Sequence, residues 1–141
     1  MTDKQLSTFE VDGQHFGVDV ASVQEVIRFQ QMTRVPLAPT AVGGLINLRG
    51  QVVTAIDLRE RLGLPPRPEG QLPMNVVVRV DEEAVSLLVD AIGDVVDVTT
   101  DQFEPPPETL TGPRRDLIHG AYKLPDRLLL ALDVYRAVDV A

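Results

Sequence analysis

The sequence predicts a mainly β protein built from two similar small β-units that share aliphatic faces, and three observations carry that expectation. Hydrophobic residues make up 44% of the 141 positions, yet there are no Trp, two Tyr and four Phe. The core therefore falls to Val, Leu and Ile, and the β-branched members favour strands. Short apolar runs meet at Asp12-Gly13 and Arg49-Gly50, dipeptides whose glycine can take the positive φ of a tight hairpin turn. The third observation is an internal repeat without gaps: when Gly44 is placed on Gly120, Leu48 falls on Leu124, Ala55 on Ala131 and Asp57 on Asp133.

Taken in order, Thr8 to Val11 and His15 to Val20 flank Asp12-Gly13 and predict an opening hairpin. In Ala21 to Ile27 the apolar residues Val23, Val26 and Ile27 have helical spacing. A turn or two of helix is expected there, with Ser22 as cap, passing into a strand near Ile27 to Gln30. Pro36 and Pro39 lead into the central hairpin, Gly43 to Leu58, after which Asp57 to Gly63 reads as a short helix stopped by glycine. The stretch 64–71 is too rich in proline for a helix or a central strand, so it marks an internal boundary. Met74 to Val80, Ala84 to Val89 and Asp94 to Thr99 read as further strands, with a loop at Pro105-Pro106-Pro107. A last hairpin, Leu117 to Lys123 with Leu128 to Leu132, precedes a terminal helix near Asp133 to Val138.

The expected organisation is a single domain over 1–141, with halves 13–71 and 72–141 and an N-terminal strand free to cross to the second half. A weaker match pairs Val18-Asp19 with Val89-Asp90, each ending a strand.

Composition excludes whole classes of function. With 13 Lys and Arg against 21 Asp and Glu the net charge is -8, the wrong sign for a nucleic-acid partner. The absence of Cys removes disulfides, thiolate metal sites and cysteine nucleophiles. No apolar stretch follows the N-terminus, and no run approaches the roughly 18 apolar residues of a membrane span, so no membrane insertion is expected and the reading is cytoplasmic. His15 and His119 have no second ligand at metal spacing. Phosphate-cradling and nucleophile-elbow motifs are missing. Neither metal nor cofactor is expected.

The repeat also works as an internal control. Asp57 and Asp133 recur at one position and read as helix caps; a small acid/base enzyme using either is the alternative. Arg49-Gly50, in contrast, aligns with Pro125-Asp126, which suits an ordinary type I turn. The hairpin therefore does not need its arginine, and an exposed ion pair worth about 0.2–1 kcal/mol is little reason to keep one. Recognition of a carboxylate by the planar guanidinium fork is the better reading.

Gly44-Leu45-Ile46-Asn47-Leu48-Arg49-Gly50-Gln51-Val52-Val53, followed by Ile56-Asp57-Leu58-Arg59, resembles the central signature of the CheW family of chemosensory coupling proteins. The resemblance extends through Val18 to Val20, Val23 to Val26, Leu88 to Val95 and Tyr122 to Leu129, nearly the whole chain in order. It implies two five-stranded barrels of the Src-homology-3 type around one aliphatic interface, and a non-catalytic adaptor at membrane-associated receptor arrays. The partners implied are the cytoplasmic tip of a chemoreceptor, held helix-in-groove, and the regulatory domain of a CheA-type histidine kinase. Carried over by position, Glu25 and Arg49 match an acidic and basic pair near the functional surface. Val23, Gly44 and Val95 match receptor-coupling positions, with Ile92 beside them. Ser86 stands where some relatives have Gly, which would narrow the groove, and 104–109 lacks the basic and aromatic residues of a second kinase contact. A spacer or decoy that keeps one partner is a further alternative.

Overall fold

The computed structural model describes residues 4–140. Its strands are β1 (Lys4–Val11), β2 (Gln14–Asp19), β3 (Val23–Ile27), β4 (Val42–Leu48), β5 (Gln51–Asp57), β6 (Met74–Val80), β7 (Glu83–Val89), β8 (Ala91–Val98), β9 (Phe103–Glu104), β10 (Ile118–Lys123) and β11 (Leu128–Leu132). Three short helices, α1 (Leu58–Arg61), α2 (Pro113–Asp116) and α3 (Val134–Val138), fill corners. The first sheet has the order β3-β6-β7-β5-β4 and the second β8-β1-β2-β11-β10-β9.

The repeat is real at the level of hydrogen-bond register. Gly44 lies opposite Ala55 and Gly120 opposite Ala131, each beside a shift of register. Both hairpins close alike, Asp57 N donating to Ala41 O at 2.8 Å and Asp133 N to Leu117 O at 2.7 Å. Each then pairs in parallel with a strand from elsewhere, Ala55 with Ser86 and Ala131 with Gly17. Gly17 is thus the counterpart of Ser86, and Val18 of Leu87. The expected match of Val18-Asp19 with Val89-Asp90 is two residues out of register.

The halves 13–71 and 72–141 do not coincide with the sheets. Strands β1 and β2 join β8 to β11, while β6 and β7 join β3 to β5. Each half of the chain gives its leading hairpin to the other half's barrel. The physical cause lies in the connections: the chain leaves β2 through a single 3₁₀ turn, Val20–Ser22, and leaves β7 through Asp90 alone. Such links carry the chain across to the other sheet.

Ala21 to Ile27 is not a helix. The 3₁₀ turn is capped by Asp19, whose side chain accepts from Ala21 N, and β3 begins at Val23. Helical spacing and strand alternation both fit so short a run; pairing with β6 settles it, and burial then alternates from Val23 to Ile27. Strand β9 and helix α2 were not expected either.

The main core lies between the sheets. Phe9, Val11, Phe16 and Val18 from one meet Ile56, Val76, Val78 and Leu87 from the other. Each barrel adds a smaller interior built at equivalent positions, with Ile46, Val53 and Ala55 in the first and Tyr122, Leu129 and Ala131 in the second. Shared aliphatic faces are what the composition led one to expect.

Asp57 and Asp133 cap α1 and α3, accepting from Arg59 N and Arg136 N. Replacing either by Ala is expected to cost about 0.5–2 kcal/mol in urea unfolding, and Asp133→Asn much less, because Asn caps nearly as well.

Candidate functional site

The β4–β5 turn holds Arg49 at φ 50° and Gly50 at φ 85°, the pair of positive values that a two-residue hairpin of this twist needs. Asn47 Oδ1 accepts from Gly50 N at 2.9 Å and steadies the loop. An arginine in this region of φ is uncommon and costs roughly 1–2 kcal/mol. In the second copy Pro125 and Asp126 keep negative φ. The first hairpin therefore carries its cation at an energetic disadvantage. Arg49→Gly is expected to leave the unfolding midpoint nearly unchanged, because relief of about 1 kcal/mol offsets the loss of a surface ion pair worth 0.2–1 kcal/mol.

Across from the turn, Glu25 sits on edge strand β3. Arg49 Nη1 donates to Glu25 Oε1 at 3.2 Å, and Nη2 donates to both carboxylate oxygens. The arginine side chain is 68% exposed and the glutamate 20%. The guanidinium holds the Glu25 carboxyl below the usual carboxylate range. The line continues: Gln24 Nε2 donates to Glu25 Oε2 at 3.4 Å, Arg79 Nη1 to Gln24 Oε1 at 3.0 Å, and Arg79 Nη2 to Glu82 O at 2.7 Å. A polar ridge thus crosses β3 from the β4–β5 turn to the β6–β7 turn.

The other expected positions fall into two kinds. Val23 and Ile92 are partly buried against the shared core. They occupy one position in the two barrels, opposite Val78 and Phe9 respectively. Gly44 lies at the β4 bulge, where an added Cβ would stand 2.8 Å from Thr33 O, so glycine there lets the Thr33–Leu45 bridge close. Val95 is 54% exposed on β8, in the second sheet, and Val26 is its counterpart on β3. The structure joins Glu25 to Arg49 directly; it sets Val23 and Ile92 toward the core and leaves Val95 on the surface.

Ser86 does not narrow a groove. It is fully buried, and its Oγ donates to Asn75 Oδ1 at 2.7 Å inside the first barrel. Glu104 belongs to β9, pairs with β10 and lies 3.3 Å from Lys123 Nζ.

Sequence reasoning missed the ridge residues Gln24 and Arg79, and it missed a buried charge cluster. Arg59 Nε and Nη2 donate to the two oxygens of Asp90 at 3.0 and 2.6 Å, and Arg67 Nε donates to Asp90 Oδ1 at 3.0 Å. Arg59 Nη1 also reaches Pro65 O at 3.0 Å, and Asp12 N donates to Asp90 Oδ2 at 2.7 Å. This cluster pins the proline-rich segment and the β1–β2 turn to the crossover between the sheets. One signal was available: Arg59 lies between the apolar Leu58 and the helix end at Leu62, where a charge needs a partner.

Among the described residues no group of three or more His, Cys, Asp or Glu could hold a metal ion, and no helix is long and apolar enough to cross a membrane. Two small barrels on one aliphatic core, with an exposed guanidinium–carboxylate ridge, define a β-module suited to binding other proteins. The family model described as CheW-like domain matches residues 5–141, and the chain belongs to that family. A Rhizobium etli protein named probable chemotaxis protein CheW is 33% identical over 132 residues, covering 94% of this chain and 85% of that one. Chemotaxis protein CheW of Bacillus subtilis is 30% identical over 138 residues, covering 98% and 88%. The crystal structure of a scaffolding protein, TtCheW from Thermoanaerobacter tengcongensis, superimposes with a TM-score of 0.83 at 28% identity, covering 94% of this chain and 89% of that one.

Proposed function

We propose that this protein is a non-catalytic scaffold adaptor that couples the cytoplasmic tip of a chemoreceptor to the regulatory domain of a CheA-type histidine kinase. It acts on the cytoplasmic side, at membrane-associated receptor arrays. The family and the names of its relatives support the adaptor role. The observation that carries the site is the Glu25–Arg49 pair: the chain keeps an arginine at a left-handed turn position where its own second copy manages with Pro125. Glu25 and Arg49 form the polar part of the binding surface, and Val23, Gly44, Ile92 and Val95 shape and line the apolar part. An acid/base role for Asp57 or Asp133 is disfavoured, because each caps a helix through Oδ1 and each carboxylate faces an arginine of this chain, Asp57 Oδ1 at 3.5 Å from Arg67 Nη2 and Asp133 Oδ2 at 3.6 Å from Arg136 Nε.

The test is binding of the purified chain to an isolated kinase regulatory domain and to a receptor tip. An adaptor binds both, a one-partner spacer binds one and an enzyme binds neither. Arg49→Ala should weaken at least one of these complexes by about tenfold or more, the loss typical of a binding hot spot, while thermal unfolding stays close to the parent. Glu25→Ala should do likewise, and the double variant should lose less than the sum, because the two side chains form one network. If Arg49→Ala binds both partners as tightly as the parent, the assignment of this pair fails.

A further inference from the structure

The second barrel opens into a cleft of about 720 Å3, within the roughly 300–1,000 Å3 of typical binding pockets. Both tyrosines of the chain, Tyr122 and Tyr135, and one of its four phenylalanines, Phe103, line it. In a chain this poor in aromatics, Tyr135 at 63% and Phe103 at 40% exposure are costly to leave in water. Phe103 leans on Tyr122 with ring centroids 5.0 Å apart and planes at 59°.

The repeat explains why the cleft exists in this barrel. The registers place Asp19 where the first barrel has Leu88, and Phe103 where it has Met32. Leu88 and Met32 pack with Ile46, Val53 and Ala55 and fill the first barrel. In the second barrel a carboxylate replaces the leucine, and the space stays open.

Asp19 uses Oδ1 to cap its 3₁₀ turn, accepting from Ala21 N at 3.0 Å. Its Oδ2 forms an ion pair with Nζ of the lining Lys4 at 3.9 Å, beyond hydrogen-bond distance. Asp133, between the lining residues Leu132 and Val134, does not itself line the cleft: Oδ1 accepts from Arg136 N at 3.1 Å, and Oδ2 faces Arg136 Nε at 3.6 Å and Nδ1 of the lining His119 at 3.8 Å. The Asp19 carboxylate, with Oδ2 free of hydrogen bonds and beside exposed aromatic faces, matches a flat organic cation.

We propose that this cleft seats an arginine side chain presented by a segment of a protein partner. The guanidinium plane lies on the rings of Tyr135 and Phe103, and its N–H groups reach Asp19 Oδ2, displacing the ammonium of Lys4. The net charge of -8 favours approach of a basic segment, and the volume leaves room for the residues beside the arginine. Arginine suits the site better than lysine because only its planar head both stacks and forks. The cleft lies apart from Glu25 and Arg49, which belong to the other barrel, so this reading and the adaptor reading fail separately.

The experiment is a titration of the isotope-labelled full chain with a capped Gly-Gly-Arg-Gly-Gly peptide, followed by amide NMR. Saturable shifts are expected at Asp19, His119, Val134 and Tyr135. The isosteric citrulline peptide, which lacks the charge, should bind about tenfold more weakly, and Asp19→Asn and Tyr135→Ala should each weaken binding about three- to fivefold. Asp19→Asn keeps the cap and Tyr135 is exposed, so equal melting temperatures verify the fold. The proposal is overturned if the shifts are absent at millimolar peptide or fall outside the cleft, if citrulline binds equally, or if the variants bind like the parent. Free N-acetyl-arginine amide binding as tightly as the peptide would likewise overturn the commitment to a protein segment.

Discussion

Replacing Asp90 by Ala is expected to lower the unfolding free energy by about 3–5 kcal/mol, the usual penalty for removing one partner of a buried ion pair. The side chains of Arg59, Arg67 and Asp90 are only 7%, 9% and 10% exposed, so without Asp90 two guanidinium groups remain in the interior with their main acceptor gone. Asp12 N also loses its bond to Asp90 Oδ2, and with it the tie between the β1–β2 turn and the crossover. Burial alone would raise the Asp90 carboxyl, but hydrogen bonds from Arg59, Asp12 N and Arg67 outweigh it and hold the pKa below the usual aspartate range. The sign of the pH dependence follows. A carboxyl whose pKa is lower in the folded chain stabilises fully above the unfolded value of about 3.9, and that contribution disappears as pH falls through the folded value. Urea unfolding as a function of pH should therefore show the parent and Asp90→Asn converging in acid and separating toward neutrality. A variant as stable as the parent at pH 7 would show that the cluster is solvated and structurally idle.

Phe16→Ala is expected to cost about 3–5 kcal/mol and to leave a single unfolding transition. Phe16 is fully buried and stacks on Phe9 with centroids 5.9 Å apart and planes at 15°. Both belong to the core that draws side chains from the two sheets. A cavity there weakens both barrels at once, because neither has a large interior of its own: the first closes on Ile46, Val53, Ala55 and Leu88, the second on Leu6, Val98, Tyr122, Leu129 and Ala131. Calorimetry that resolved two transitions in the variant would show the barrels to be independent units and would contradict the shared core.

Local chemistry made much of this readable in advance. Asp12-Gly13 and Arg49-Gly50 carry their turns in their own residue types, and both show positive φ at both positions. The gapless offset between Gly44 to Asp57 and Gly120 to Asp133 reappears as matched bulges and matched closing bonds. Asp57 and Asp133 cap helices because a short acidic side chain before an apolar turn has few other uses. Beyond the local scale the residues are ambiguous. Ala21 to Ile27 is short enough to satisfy two periodicities, and only pairing with β6 chose between them. Glu25 and Arg49 came together in the reading through a family resemblance; nothing in 24 residues of separation reveals a contact by itself.

By itself the sequence determined the strand-rich class, the hairpin turns, the helix caps, the duplicated architecture and the oddity of a cation at one tip. These depend on φ preferences, side-chain alternation and neighbours within a few positions, all written along the chain. Tertiary structure alone decided that the halves exchange their leading hairpins, that Arg59 and Arg67 converge on Asp90, that Ser86 faces inward to Asn75, and that a cleft opens beside Asp19. Each of these depends on which distant strand becomes a neighbour. That choice is made by burying one common aliphatic core, and the hydrophobic effect that drives it has no direction along the sequence.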